Sequence, residues 1–205
     1  MRFCLRFIWP VSGLIFLLAG CTAVTVGNTA SKMANVALES LGLKAPDVPE
    51  LPEFQKPSRE VALKLHAGNN LNAGSTDKPL SLVTRIYKLK QTSAFYAAPY
   101  DAFLSPEKER ATLGQDLLDV REINLVPGQL YEVTEKVSRE AAFIGVVTLF
   151  RSPAPERWRV AFNAVEAEKS GIRVGLHACS LTIGQGAARD QGNISVFSNT
   201  PARCQ

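Results

Sequence analysis

The residue whose position most clearly predicts chemistry is Cys21, which directly follows Ala19 and Gly20 at the end of an apolar run. A cysteine thiolate is a nucleophile and can carry a covalent group. A basic start, an apolar middle and small residues at the end, as found here, are typical of a secretory signal peptide. The run is shorter than the roughly 20 apolar residues that a membrane-spanning helix needs. We therefore expect residues 1–20 to be a leader that is removed, so that Cys21 begins the mature chain.

Leu18, Ala19, Gly20 and Cys21 match the lipobox of bacterial lipoproteins. In proteins with this box the thiol receives a diacylglycerol, the leader is cut before the cysteine, and the new amine is acylated. Several acyl chains on one residue anchor a protein stably, whereas one chain binds only marginally. Thr22 resembles no inner-membrane retention signal. We therefore expect lipidation of Cys21 and anchoring in the inner leaflet of the outer membrane, on its periplasmic face.

Two further cysteines, Cys179 and Cys204, remain in the mature chain, in a compartment that should be oxidising. We predict a disulfide between them, which would stabilise the fold by about 3 kcal/mol on the chain-entropy model. A metal site is the alternative use of these thiols. The histidines are His66 and His177, and no cysteine or histidine pair has the spacing of metal ligands. The disulfide is the favoured prediction, and we expect neither a metal nor a cofactor.

Other residues that could support catalysis lack the neighbours that it requires. The sequence has no G-x-S-x-G motif for an activated serine. Gly184-Gln185-Gly186 lacks the third glycine and the helix of a phosphate-binding loop, and we predict a turn there. The formal net charge of +4 falls to +2 when the two leader arginines are removed, which is too small for a concentrated nucleic-acid-binding face. We therefore expect neither an enzyme nor a partner that is nucleic acid.

Residues 21–59 are predicted to be a tether. Residues 31–44 place apolar side chains at helical spacing. Residues 45–58 then contain four prolines, a composition that keeps a chain extended and stiff. Such a tether would hold the folded domain, residues 60–205, away from the lipid surface.

The domain has the pattern of a series of short strands. Val61, Leu63, Leu65 and Ala67 recur at every second position and so lie on one face, as in a half-buried strand. Further strands are predicted in SLVTRIYKLK, DVREINLV, QLYEVTEKV, AAFIGVVTLF, RWRVAFNAV, GIRVGLHA and ISVF. A shift in apolar phase near Cys179 suggests a bulge. Seven or eight short strands with few helices indicate a mainly β fold, an antiparallel β-sandwich.

Short helices are predicted between the second and third strands, in TSAFYAAPYDAFL and SPEKERATLG. Ser105 is a good N-cap, Pro106 suits the first helical position, and Gly114 is a fair stop. Glu107 and Glu109 lie in the first turn, where carboxylates interact favourably with the helix dipole. We assign these carboxylates no catalytic role.

The connection between the first two strands, GNNLNAGSTDKPL, is longer than the two to five residues of a usual hairpin. One interpretation is a mobile surface loop. The other is a binding site, because loops longer than the fold requires often carry function. Trp158, by contrast, falls in an apolar row of period two and is predicted to lie in the core.

The segments NLNAGSTDKPLSLVTRIYKLKQTSAF, DLLDVREINLVPGQ, AAFIGVVTLFR and RWRV resemble, in this order and spacing, the type VI secretion outer-membrane lipoproteins of the TssJ (SciN, VasD) family. Residues 71–72 and 78–80 are similar to the family's first-loop segment, and residues 85–89 to its second strand. The resemblance covers residues 60 to about 165. Its specificity comes from the ordered set of segments together with the lipobox.

The resemblance implies a transthyretin-like β-sandwich with short helical additions, on the periplasmic face of the outer membrane. It also implies binding to the periplasmic C-terminal domain of TssM, an inner-membrane component, within a TssJ–TssL–TssM complex. In the family, the loop between the first two strands is a principal contact with TssM. Carried over by position, the implied contact residues are Asn69, Asn70, Leu71, Asn72, Ala73, Gly74, Ser75, Thr76, Asp77, Lys78 and Pro79.

Two other classes of function remain as alternatives. A periplasmic lipoprotein could bind or carry a small hydrophobic ligand, which would require a deep apolar pocket. The alternating apolar residues of the strands are instead expected to form one core. An envelope hydrolase is the more remote alternative, because its motifs are missing.

Overall fold

The computed structural model describes residues 51–52, 55–76, 78–184 and 204 of the 205-residue chain. The predicted leader, the predicted helix within residues 31–44 and the predicted strand ISVF lie outside the described residues, as do Cys21 and Asp77. None of the helices in these described ranges is long and apolar enough to cross a membrane.

Short strands and short helices follow one another along the described chain. The elements are β1 (Arg59–Ala67), β2 (Leu82–Leu89), α1 (Ser93–Ala97), a 3₁₀ helix (Tyr100–Leu104), α2 (Pro106–Leu113), a 3₁₀ helix (Gly114–Asp116), β3 (Leu117–Leu125), β4 (Leu130–Val137), β5 (Phe143–Thr148), β6 (Arg159–Asn163), α3 (Ala164–Ser170), β7 (Ile172–Leu176) and β8 (Leu181–Ile183).

Within the described ranges, the strands form two sheets of four strands each, in the orders β4-β1-β7-β8 and β3-β2-β5-β6. All pairings are antiparallel except that of β1 with β7, which is parallel and places Leu63 opposite Ile172. The predicted mainly β, predominantly antiparallel fold is confirmed. The parallel pair is a feature that the pattern of apolar residues did not reveal.

Strand β1 shows how the sequence places the core. Val61, Leu63, Leu65 and Ala67 are at most 3% exposed, and the residues between them are exposed. Successive side chains of a strand point to opposite faces, so this alternation buries one complete face. These residues belong to one apolar cluster with Ile86 of β2. Each fully buried side chain of this kind contributes roughly 1.5–3 kcal/mol to stability.

The helical insertion between β2 and β3 packs on the second sheet through aromatic rings. Phe95 of α1 and Phe103 of the 3₁₀ helix make edge contacts with Tyr87 of β2, with ring centroids 5.7 and 5.9 Å apart. Phe103 also contacts Trp158, which is 6% exposed, so the predicted core position of Trp158 is confirmed. Gly145 makes room for this cluster, because a Cβ there would lie 2.9 Å from Phe95 Cζ.

Two local features differ from the predictions. RWRVAFNAV was predicted to be strand throughout, but its last residues begin α3. The Asn163 side chain caps this helix by accepting hydrogen bonds from the backbone N–H groups of Val165 and Glu166. The phase shift near Cys179 is not a bulge but the turn of the β7–β8 hairpin. The irregularity in strand register lies instead between Lys88 and Leu89.

Helix α2 begins as predicted, with the Ser105 Oγ atom accepting from the N–H of Lys108. Glu109, however, does more than interact with the helix dipole. Its side chain is buried and forms an ion pair with Arg85 of β2, with 2.7 Å between Oε2 and Nη1. Arg85 also donates to Glu122 of β3 over 2.8 Å. The pair therefore joins the helical insertion to the sheet.

Candidate functional site

Several connections meet at one end of the sandwich. The first loop (residues 68–81) joins β1 to β2, residues 149–158 join β5 to β6, and residues 177–180 form the turn between β7 and β8. Direct hydrogen bonds join the first loop to each of the other two segments. We call these three segments together the loop platform.

The backbone of the first loop is held by the β7–β8 hairpin. The N–H of Gly68 donates to the Leu176 carbonyl over 2.8 Å. The N–H groups of Asn72 and Gly74 donate to the carbonyls of His177 and Ala178, each over 3.0 Å. Buried backbone groups of a folded segment are normally paired in this way. The backbone of the first loop is therefore tied to the neighbouring hairpin by hydrogen bonds.

Asn72 is the central polar side chain of the loop platform. It is 7% exposed, with a backbone φ of 51°, a left-handed conformation that asparagine tolerates better than most residues. Its Nδ2 donates to the Ser81 carbonyl over 2.9 Å, and its Oδ1 accepts from the N–H of Arg151 over 2.8 Å. One buried amide therefore joins both arms of the first loop to the β5–β6 connection.

Arg151 belongs to this site although no sequence prediction assigned it there. Its Nη2 donates to Thr76 Oγ1 over 2.7 Å and to the Ala73 carbonyl over 3.3 Å. The residue is exposed, so its charge lies at the surface beside Thr76. In the sequence, the feature that could have linked Arg151 to this site was its position at the end of the AAFIGVVTLFR segment.

The structure divides the residues predicted to contact a partner into two groups. Those that are buried can shape the loop but present little surface to another protein, whereas the others are accessible. The buried group is Leu71, Asn72, Ala73 and Gly74; the exposed group is Asn69, Asn70, Ser75, Thr76, Lys78 and Pro79. Asp77 lies outside the described residues.

The turn between β3 and β4 lies beside the first loop. The N–H of Gly128 donates to the Gly68 carbonyl over 3.3 Å. A Cβ atom at Gly128 would lie 3.0 Å from Asn69 Oδ1. Gly128 has a φ of 78°, which suits glycine in the predicted Pro127-Gly128 turn. Exposed apolar side chains occur in and next to these segments, including Leu80 and Val126 at 41% and 50% exposure.

A disulfide joins the loop platform to the end of the chain. Cys179, in the β7–β8 turn, is bonded to Cys204 and is 2% exposed. The carbonyl of Cys179 accepts from the N–H of Ala154 in the β5–β6 connection over 2.8 Å. The turn therefore contacts both of the other segments of the platform.

The two histidines lie in different elements and differ in burial. His66 is exposed on β1, and His177 is half-buried with its Nε2 atom 3.0 Å from Thr182 Oγ1. Burial lowers the pKa of His177 from its usual value of 6.5. Among the described residues, no group of three or more His, Cys, Asp or Glu side chains is arranged to hold a metal ion.

A groove of about 550 Å³ lies on the sheet formed by β4, β1, β7 and β8. It is open, and charged side chains such as Lys64 and Arg173 line it together with apolar ones such as Leu130 and Val174. Lys64 and Glu132 form an ion pair there over 2.8 Å. A small hydrophobic ligand prefers an enclosed apolar pocket, so the groove does not favour that function.

Comparison with known proteins finds a family whose sequences match this chain. Residues 59–179 match the family described as type VI secretion lipoprotein, VasD, EvfM, TssJ. No curated protein sequence matches the chain. The solved structure of the T6SS lipoprotein TssJ1 from Pseudomonas aeruginosa is 28% identical, covers 65% of this chain and 98% of that chain, and superposes with a TM-score of 0.57.

Two further solved structures have similar chains. One is described as the type VI membrane complex; it is 26% identical and covers 62% of this chain and 98% of that chain, with a TM-score of 0.56. The other is described as the T6SS protein TssM C-terminal domain (869–1107) from EAEC. It is 25% identical and covers 62% of this chain and 98% of that chain, with a TM-score of 0.53.

Proposed function

Because the chain belongs to the type VI secretion lipoprotein family of VasD, EvfM and TssJ, we propose that it anchors a type VI membrane complex to the outer membrane. In this proposal it binds the periplasmic C-terminal domain of TssM, within a TssJ–TssL–TssM complex. Its role is to hold a partner in place and not to catalyse a reaction. Similar chains in structures described as the type VI membrane complex and the TssM C-terminal domain support this partner.

The proposed anchor is the acylated Cys21, in the inner leaflet of the outer membrane on the periplasmic face. Residues 1–20 are the proposed signal peptide, residues 21–59 the tether, and residues 60–205 the sandwich domain. The lipobox and the lipoprotein family support this arrangement. Confinement to a surface raises the effective concentration of a partner that reaches the same surface, so several weak contacts can act together.

The proposed binding site is the exposed part of the first loop. The observation that carries this proposal is the fixed conformation of the loop, in which Asn72 is buried and hydrogen-bonded to Ser81 and Arg151. A loop that is already ordered loses little conformational entropy when it binds a partner. The partner then contacts accessible side chains, namely Ser75, Thr76 and Lys78, and the buried residues hold these side chains in position.

The test is the affinity between the full chain, purified with its leader processed and kept in detergent, and the TssM C-terminal domain. A Ser75→Arg/Lys78→Glu variant changes two exposed loop residues without changing the buried ones. We expect its affinity to fall at least about tenfold, which corresponds to about 1.4 kcal/mol.

The matched control is Lys136→Glu, a charge reversal at an exposed position in β4, where Lys136 pairs with Glu60 of β1. It should bind like the wild type. If the loop variant also binds like the wild type, the binding site lies elsewhere on the domain. If the folded wild-type chain does not bind the TssM domain, the proposed function is wrong.

A further inference from the structure

We propose that the Cys179–Cys204 disulfide fixes the conformation of the first loop and thereby sets the affinity of the loop for its partner. The link runs through the β7–β8 turn, which carries Cys179. The effect on partner affinity rests on the proposed function, whereas the effect on loop conformation can be measured on this chain alone.

The first step of the argument is that the turn supplies hydrogen-bond acceptors to the loop. The carbonyls of His177 and Ala178, the residues immediately before Cys179, accept from the N–H groups of Asn72 and Gly74. These two loop residues both have positive φ angles, of 51° and 61°. Glycine adopts such angles readily and asparagine more readily than most residues, so these hydrogen bonds select one of several accessible conformations. A displacement of the turn would therefore release this part of the loop.

The second step is that the turn has limited support from its own sheet. Strand β8 has three residues and lies at the edge of its sheet as described, where it pairs with β7. Within the turn, the N–H of His177 donates to the Ser180 carbonyl over 2.9 Å. Short edge strands are elements that open at low free energy. Within its own sheet the turn is thus supported by this short pairing, to which the disulfide adds a covalent bond at Cys179.

The third step is the connection from the turn to the β5–β6 segment. The Cys179 carbonyl accepts from the Ala154 N–H over 2.8 Å, and the Leu181 N–H donates to the Arg157 carbonyl over 2.8 Å. The same segment supplies the N–H of Arg151 to Asn72. The first loop is thus held from two sides, and the turn that carries Cys179 is bonded both to the loop and to the β5–β6 segment. The cross-link joins this turn to Cys204, 25 residues later in the sequence.

The redox chemistry is a two-electron change. Formation of the bond removes one proton and one electron from each thiol, and a protein disulfide of the oxidising periplasm accepts the electrons. In the laboratory, a water-soluble phosphine reverses the step. The S–S bond breaks, two thiols form with protons from one water molecule, and the phosphine becomes its oxide with the oxygen of that water.

The first measurement is amide hydrogen exchange on the full chain in detergent, without a partner. It compares the wild type, the wild type reduced with phosphine, and Cys204→Ser. Cys204→Ser removes the bond and leaves the turn sequence intact. We expect exchange at Asn72 and Gly74 to become at least about tenfold faster, with a much smaller change at Ile86 in the ladder between β2 and β5.

The control for general destabilisation is Val137→Ala, which truncates a fully buried side chain at the far end of β4. It lowers the stability of the sandwich without altering the turn. If this variant accelerates exchange at Asn72 and Gly74 as much as Cys204→Ser does, or if loss of the disulfide leaves these amides unchanged, the inference is wrong.

The second measurement is binding of the same proteins to the TssM C-terminal domain. The inference is supported if the oxidised wild type binds about tenfold more tightly than both the reduced wild type and Cys204→Ser. If all three proteins bind equally, the disulfide does not set the affinity, and the proposed function is unaffected. Absence of binding by the oxidised wild type overturns the proposed function, and hydrogen exchange then decides the effect on the loop by itself.

Discussion

The side chain of Asn72 accepts a hydrogen bond from the backbone N–H of Arg151 over 2.8 Å, although 79 residues separate them in sequence. Together with the bond from Asn72 Nδ2 to Ser81, it closes the first loop onto the β5–β6 connection. A buried amide that pairs on both sides fixes geometry more firmly than an exposed one, because its hydrogen bonds act in less polar surroundings than water. The shape of the proposed binding surface therefore depends on a residue that itself presents little surface to a partner.

Replacement of Asn72 by alanine should destabilise the fold. It removes both side-chain bonds and leaves the Ser81 carbonyl and the Arg151 N–H without these partners. Ser81 and Arg151 are exposed residues, so water can replace the lost amide and each bond contributes about 0.5–1.5 kcal/mol; we expect a loss of about 1–3 kcal/mol in the free energy of unfolding, measured by urea titration. The exposed neighbour Asn70→Ala should change it by less than about 0.5 kcal/mol. Equal effects of the two changes would contradict this role of Asn72.

Arg151→Ala should affect binding more than stability. The side chain is exposed, so its removal should cost less than about 1 kcal/mol in unfolding, but it releases Thr76 and the Ala73 carbonyl. We expect the affinity for the TssM domain to fall several-fold, as measured by calorimetry. Arg151→Lys keeps the charge but loses the planar guanidinium, so it should recover only part of this affinity. Complete recovery would show that charge alone matters at this position.

Arg159→Ala should be among the most destabilising single changes outside the apolar core. The buried guanidinium donates to the carbonyls of Phe95, Tyr96 and Ala98 at the end of α1, and it stacks on Trp158 at 4.4 Å from the ring centroid. Hydrogen bonds from charged donors contribute about 1.5–3 kcal/mol, so we expect thermal unfolding to show a loss of about 3 kcal/mol or more. A loss below about 1 kcal/mol would mean that α1 is held by its aromatic contacts alone.

His177 should make stability depend on pH. Burial lowers its pKa in the folded protein, so the unfolded chain takes up a proton at a higher pH than the folded protein does. The stability that neutral His177 contributes above its usual pKa of 6.5 is therefore lost as the pH falls through 6.5 toward the folded value. From about pH 7.5 to about pH 5.5, the wild type should lose more unfolding free energy than His177→Gln. His66→Gln, at an exposed position, is the matched control and should follow the wild type; identical slopes for all three would refute the assignment.

Cys21→Ser should abolish acylation, because a hydroxyl does not replace the thiol nucleophile that the lipobox chemistry uses. We expect no incorporation of labelled palmitate and loss of the mature protein from the outer-membrane fraction. Cys179→Ser, which changes a cysteine outside the lipobox, should still be labelled. Labelling of Cys21→Ser would show that the anchor is attached elsewhere.

The sequence predicted well the features that depend on neighbouring residues. Val61, Leu63 and Leu65 recur at every second position, and this period of two reports the burial of β1 directly. Helix α3 was missed because Phe162 and Ala164 continue the period of β6, while the local signal for a helix was the single cap at Asn163. An apolar pattern that fits two elements does not reveal where one ends.

The division of the first loop into buried and exposed residues could not be predicted in this way. The burial of Asn72 depends on His177 and Arg151, which become neighbours only when two sheets have formed. Likewise, the ion pair of Glu109 with Arg85 required the helical insertion to fold back onto β2. Such contacts depend on the three-dimensional arrangement of distant segments and leave no periodic signal.

The parallel pairing of β1 and β7 affects how the sequence of this protein can diverge. Ala67 and Leu176 lie opposite each other at the ends of strands that run in the same direction. The first loop and the β7–β8 turn therefore leave the sheet side by side, whereas antiparallel strands would send them to opposite ends. Substitutions in one segment can be matched by substitutions in the other while both sheets stay the same. We expect these two segments to vary together among related proteins, so that partner specificity can diverge on a constant scaffold.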